Sequence, residues 1–224
     1  LYAHYFQREY LPFLTEKLSP ERYSADLRTL LTHSRPTGIV TYPEFEADIR
    51  TIVEESGHAV RDVFITDRIP SQGNVDFDTL PGMKRNEADI VLLQHSSGST
   101  GLQKGVALSH RAIFNHLDAY GESIRLTRDD IIVSWLPLYH DMGLIACFLM
   151  PILRGAHVVQ MSPFDWVRAP YRMFQTISKY RGTLTWVPNF AYNFCAQKIR
   201  DRDREGIDLS SWRASINTSE PVKY

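Results

Sequence analysis

From Gly38 onward, short β-branched or aliphatic runs alternate with stretches whose apolar residues recur at helical spacing, the pattern of a parallel α/β sheet. Gly38–Tyr42 reads as a strand. Pro43–Ser56 reads as a helix with Phe45, Ile49, Ile52 and Val53 on one face and Gly57 as its terminator, and Val60–Thr66 returns as a strand. Residues 67–88 carry Pro70, Gly73, Asn74, Pro81 and Gly82 without periodicity, so they read as a long surface connection. Asp89–Leu93 is a continuous apolar run of the kind buried on both faces of a sheet. Val106–Leu108 leads into Ser109, a good N-cap for a helix presenting Ala112, Ile113, Leu117 and Tyr120. Ile131–Leu136, Ala156–Met161, Leu184–Val187 and Arg213–Asn217 repeat the strand signal, with helices from about Asp141, Pro170 and Asn189. Lys198–Glu205 is mixed in sign and reads as a solvated helix end. Residues before Gly38 are less legible. The count predicts an α/β fold, a largely parallel twisted sheet or sheets covered by helices.

Composition narrows the class. At 224 residues the chain is one large domain or a piece of something bigger. With 43% hydrophobic and 23% charged residues it should fold around a core. A formal charge of -1 supplies no net field for nucleic acid or anionic lipid. Cys147 and Cys195, both within apolar helical patterns, are poor material for a disulfide framework and point to a reducing, cytoplasmic compartment. The longest nearly apolar stretch, Leu144–Leu153, is too short to cross a bilayer and carries Pro151, so no membrane span is expected. The start of the chain lacks both an initiator Met and a signal-peptide layout, and reads as the inside of a longer protein.

The sharpest chemical feature is Ser96–Gly105, SSGSTGLQKG, directly after the apolar run. Gly98, Gly101 and Gly105 let backbone N–H groups approach an anion closely, Ser96, Ser97, Ser99 and Thr100 add hydroxyl donors, and Lys104 adds positive charge. Such a concavity suits triphosphate oxygens. It is not a Walker A loop, which needs Lys straight after Gly; here two residues separate Gly101 from Lys104. Ser97 lies in no G-x-S-x-G elbow, and His110 and His116 match no metal pattern.

The loop, running into Val106–His110, resembles the signature of the adenylate-forming enzymes: acyl-CoA synthetases, fatty acyl-AMP ligases and nonribosomal peptide adenylation domains. Two further segments resemble family motifs in the same order, Trp135–Leu144 (WLPLYHDMGL) and Trp212–Val222 (WRASINTSEPV). His140–Gly143 and Val187–Tyr192 are most similar to fatty acyl-AMP ligases, which pass an acyl chain to a carrier protein's phosphopantetheine. One departure stands out: that subfamily usually reads Asn-Gly-Ala-Glu-Pro where this chain has Asn217–Pro221, NTSEP.

The resemblance implies that residues 1–224 are part of the large N-terminal, AMP-binding domain, with the small C-terminal domain absent. It implies ATP and Mg2+ as cofactors, a carboxylic acid, chiefly a fatty acid, as substrate, and an acyl carrier protein as acceptor. Ser96, Ser97, Gly98, Ser99, Thr100, Gly101 and Lys104 would hold the phosphates, and Ser219, Glu220 and Pro221 the adenine. His140 would sit near the carboxylate, with Tyr139, Met142 and Gly143 shaping the acyl channel; no protein metal ligands are implied. Asn189, Phe190 and Tyr192 fall in the helix that carries substrate contacts, where Phe190, Tyr192 and Phe194 read either as tunnel wall or as core. The chain alone is expected to be inactive. An acyl-CoA ligase and a non-catalytic nucleotide-binding module stand as alternatives.

Overall fold

The computed structural model describes residues 20–57, 60–69, 76–95, 105–138 and 140–218. They form two compact units, one ending at Arg111 and the other beginning at Ala112.

In the first unit, helix α1 (Pro20–Ser34) and helix α2 (Glu46–Ser56) cover a two-stranded parallel sheet of β1 (Gly38–Thr41) and β2 (Asp62–Ile65). The core is Leu27 and Leu31 of α1, Ile39 of β1, Phe45, and Ile49 and Ile52 of α2. The periodicity locates α2 because a helix must turn its apolar stripe inward. Its first turn, Pro43–Phe45, is 3-10, and Gly57 ends it with φ +60, a conformation glycine adopts without steric cost. Helix α1 is a segment the apolar pattern left unread. Among the described residues, the expected connection at 67–88 and its first flanking residue form three short 3-10 turns, Thr66–Arg68, Phe77–Thr79 and Pro81–Lys84.

Strand β3 (Ile90–His95) corrects one expectation. It pairs antiparallel with β4 (Gly105–Ser109), from Ile90↔Ser109 to His95↔Gly105, so the Gly/Ser segment 96–104 joins the two arms of a hairpin. Of β3, Leu92 is buried whereas Ile90 is exposed, unlike a strand covered on both faces. A run of Ile, Val and Leu serves either setting, and only the partner decides.

The second unit begins within α3 (His110–Ser123), a helix that starts one residue after Ser109 and buries Ile113, Leu117 and Gly121. Ala112 is exposed rather than on the apolar face, a correction to the predicted stripe. A four-stranded, wholly parallel sheet follows in the order β6-β5-β7-β8: β5 (Ile131–Ser134), β6 (His157–Gln160), β7 (Leu184–Pro188) and β8 (Ala214–Thr218). The connections are helical: a π-helical segment Met142–Leu149 running into α4 (Met150–Arg154), then α5 (Pro163–Arg168), α6 (Tyr171–Tyr180) and α7 (Asn189–Lys198). The π turns precede Pro151, which lacks an N–H and whose ring crowds the carbonyl four residues back, so a widened turn relieves the clash. Helix α5 escaped the sequence reading. Ser162 caps it, accepting from the Phe164 N–H at 3.2 Å, with Pro163 at its first position. Where one solvated helix end was expected, α7 stops at Lys198 and a separate, exposed 3-10 turn spans Asp201–Arg204.

At the N-terminal edge of this sheet sits an ion pair whose carboxylate, Asp130, is buried. Arg213 grips Asp130 with two hydrogen bonds, Nε to Oδ1 and Nη2 to Oδ2, each 2.9 Å. The Thr183 hydroxyl donates to Oδ1 at 2.7 Å and the Thr127 N–H to Oδ2 at 2.8 Å, while Arg213 also donates to the carbonyls of Ile124 and Arg125. Burial by itself would raise the Asp130 pKa; the hydrogen bonds and positive charge outweigh it and hold the carboxyl well below the usual carboxylate range. The residues involved adjoin the starts of β5, β7 and β8. This edge is a structural clasp, which leaves the opposite edge for chemistry.

Candidate functional site

In an open parallel sheet, ligands bind beyond the C-terminal ends of the strands. Three sequence motifs leave the sheet there. Trp135–Gly143 follows β5, Asn189–Tyr192 follows Pro188 at the end of β7, and Asn217–Thr218 closes β8. Because β5, β7 and β8 are parallel neighbours, their ends share one edge.

Contacts join these segments. Trp135 stacks face to face on Trp166 of α5, 3.8 Å between centroids and 3° between planes. Phe190 meets both indoles edge-on, at 6.5 and 6.2 Å, and Phe194 leans on Trp166 at 5.2 Å. Trp135 and Trp166 are buried, while Phe190 keeps 51% of its surface exposed. One part of the aromatic helix face therefore packs on the indole pair and another stays open. On the β8 side, Asn217 Nδ2 donates to Asn189 Oδ1 at 3.0 Å. The Tyr192 hydroxyl lies 2.8 Å from Ser215 Oγ, and Thr185 donates to the same Ser215 oxygen at 3.2 Å.

The β5 segment is held by its backbone. The His140 N–H donates to the Pro137 carbonyl at 3.1 Å and the Leu144 N–H to the His140 carbonyl at 2.9 Å. Gly143 comes so close to this loop that a Cβ there would lie 2.2 Å from the Pro137 carbonyl oxygen. The His140 side chain is half-exposed, with Nδ1 2.8 Å from Asp141 Oδ1. Asp141 Oδ1 also accepts from the Met142 N–H at 2.7 Å, capping the π-helical segment.

Among the sequence-predicted site residues, His140, Met142, Gly143, Asn189, Phe190 and Tyr192 lie on this edge. Ser96, Ser97, Gly98, Ser99, Thr100, Gly101, Lys104, Tyr139, Ser219, Glu220 and Pro221 lie outside the described residues. Sequence reasoning assigned nothing to Asp141, Trp166 or Asn217. Asp141 and Asn217 stand inside quoted motifs, but their roles depend on partners that spacing does not reveal. Asn217 Oδ1 is buried and, among the described residues, has no hydrogen-bond partner, an acceptor left open at the end of β8.

Neither cysteine is built as a nucleophile. Burial pushes the Cys147 thiol up to about 12, against a smaller opposing hydrogen bond with Ser134, and the Cys195 thiol up to about 11. Both stay protonated near neutral pH. Among the described residues no group of three His, Cys, Asp or Glu side chains is placed to hold a metal ion.

A family model described as AMP-binding enzyme matches residues 17–223. The chain is 39% identical over 138 residues to the medium-chain-fatty-acid–[acyl-carrier-protein] ligase JamA of Moorena producens, covering 62% of this chain and 23% of JamA. It is 29% identical over 208 residues to the long-chain-fatty-acid–AMP ligase FadD26 of Mycobacterium marinum, covering 90% of this chain and 34% of FadD26. The fatty acyl-adenylate ligase from L. pneumophila, solved with acyl adenylate and pyrophosphate, superposes with a TM-score of 0.74 at 32% identity, over 91% of this chain and 34% of its own. The chain thus spans about a third or less of the length of these relatives.

Proposed function

The chain belongs to the AMP-binding enzyme family, and on that premise we propose that the protein carrying it activates a fatty acid with ATP and transfers the acyl group to the phosphopantetheine of a carrier protein. A carboxylate is a poor acyl donor. When its oxygen attacks the α-phosphorus, the bond to the bridging oxygen breaks, pyrophosphate leaves with that electron pair, and a mixed acyl-phosphate anhydride remains. Charge accumulates on phosphate oxygens, so the protein's task is positioning and preorganised hydrogen bonding rather than covalent attack. Two thiols kept protonated by burial agree with a route that needs no enzyme nucleophile.

The observation that carries this reading is the convergence of three motif-bearing segments on one sheet edge, tied by the Trp135–Phe190 and Asn217–Asn189 contacts. We assign Ser96–Gly101 and Lys104 to the phosphates, Ser219–Pro221 to adenine, His140 to the acid's carboxylate, and Tyr139, Met142, Gly143, Asn189, Phe190 and Tyr192 to the acyl substrate. The half-exposed Phe190 ring beside the indole pair supplies an apolar wall suited to an alkyl chain. Magnesium binds through few carboxylates and mainly through phosphate oxygens, so it would enter with the triphosphate. We further assign residues 1–224 to part of a large N-terminal domain working in a reducing, cytoplasmic setting; no described helix is long and apolar enough to cross a membrane.

ATP–pyrophosphate exchange by the full-length protein, run with medium- and long-chain fatty acids, tests the proposal. Acid-dependent exchange is the expected result, and failure with every carboxylate overturns it. Offering holo carrier protein and coenzyme A in parallel then identifies the acceptor.

A further inference from the structure

Helix α7 parts two kinds of surface. At about 100° per residue, positions two apart lie on opposite flanks of a helix. Phe190 turns to the indole pair of Trp135 and Trp166, while the Tyr192 hydroxyl, two residues on, sits 2.8 Å from Ser215 Oγ of β8. The α5 flank is thus apolar. The β8 flank carries hydroxyls and, one helical turn earlier, the Asn189–Asn217 amide contact.

Ser215 does not hold the phenol alone. Thr185 and Ser215 are register partners in β7 and β8, so both project from the same face of the sheet. Thr185 is buried, and its hydroxyl accepts from the Trp212 indole N–H at 3.2 Å. An indole N–H only donates, so the Thr185 proton is left to go onward, to Ser215 Oγ at 3.2 Å. The hydrogen-bonded series Trp212, Thr185, Ser215, Tyr192 therefore leads from the sheet interior to an open edge, where Tyr192 keeps 39% of its surface exposed. Because a hydroxyl both donates and accepts, Ser215 holds the phenol oxygen whichever way the phenolic proton points, and Tyr192 stays able to donate that proton to an incoming anion. A group fixed in advance also loses less freedom on binding.

We propose that Ser215 is a positioning residue that presents the Tyr192 hydroxyl to the carboxylate head of the acid rather than to its alkyl chain. This rests on the adenylation reading above and names the part of the acyl substrate that Tyr192 meets. The apolar flank at Phe190 takes the alkyl chain, and β8 leads in sequence to the segment assigned to adenine. Tyr192 faces β8, the side on which acid and nucleotide meet. A hydrogen bond to a charged head contributes equally for every acid, whereas a wall contact grows with the alkyl surface it buries.

ATP–pyrophosphate exchange by the full-length protein, with acids from medium to long chain, tests this. Tyr192→Phe should lower kcat/KM for the acid about 10-fold or more, by the same factor at every chain length. Ser215→Ala should lower it too, again without regard to chain length, and Ser215→Thr, which keeps a hydroxyl on a strand residue, should restore it. An unchanged kcat/KM in Tyr192→Phe or Ser215→Ala, a loss that varies with chain length, or no recovery in Ser215→Thr would each overturn the proposal. Should Ser215→Ala not fold, Tyr192→Phe and Ser215→Thr decide. The tether is read separately, without substrate, from 13Cζ-tyrosine NMR spectra of the same protein, with Tyr192→Phe identifying the resonance. Ser215→Ala should shift that resonance and Ser215→Thr should leave it near its wild-type position; a resonance unmoved by Ser215→Ala overturns the tether. Exchange failing with every acid while the resonance moves as expected counts against the adenylation reading, and with it the carboxylate, and leaves the tether standing.

Discussion

At the scale of single residues, closeness of approach and hydrogen-bond donors set the outcome. Gly143 faces a backbone carbonyl, which has no flexible end to swing aside. Gly143→Ala should therefore cost about 3 kcal/mol or more, the upper end for overpacking, read as a lower denaturation midpoint. Room for a methyl group would show instead as unchanged stability. On the proposed assignment of Thr100 to the phosphates, Thr100→Ala removes a hydroxyl donor from the Gly/Ser segment. By analogy with other anion sites it should reduce exchange by the full-length protein about 100-fold, roughly 3 kcal/mol of barrier, with an unchanged rate contradicting the assigned role. The sequence shows that a glycine stands at 143 and a hydroxyl at 100. It does not show what touches them: the Pro137 carbonyl reaches Gly143 only after the chain turns back on itself.

At the scale of elements, the Asp130–Arg213 clasp spans 83 positions and adjoins the starts of three strands. Its pH dependence has a definite sign. A carboxyl whose folded pKa is depressed contributes stability fully present above its unfolded value of about 3.9 and lost as pH falls from there toward the folded value. Asp130→Asn should therefore destabilise the protein by about 3 kcal/mol at neutral pH, the low end for breaking a buried pair since Arg213 is partly exposed. The gap between wild type and variant should narrow as pH drops below about 4. Urea midpoints across pH 7 to 3 measure it, and a gap that stays constant would contradict the assignment. Trp166 anchors α5 by its stack on Trp135, so Trp166→Ala should cost about 3–5 kcal/mol in the same assay. Elements with a strong local pattern, such as α2, β5 and β7, were legible. Helix α5, six residues long, was not, because its one buried side chain, Trp166, makes no periodic signal.

At the scale of the whole molecule, the chain matches about a third or less of each relative's length. Exchange by the 224 residues alone is expected to stay at background while the full-length protein turns over; activity from the short chain would show that it holds a sufficient site. By itself the sequence determined the α/β class, the order of most strands and helices, and the motifs of the family, since periodicity, capping and glycine placement are properties of neighbours along the chain. Only the tertiary structure decided that β3 and β4 run antiparallel, that Trp135 stacks on Trp166 and that Asn217 reaches Asn189. Each pairs residues brought together by packing, a juxtaposition that exists only once the chain has folded and that residue spacing does not encode.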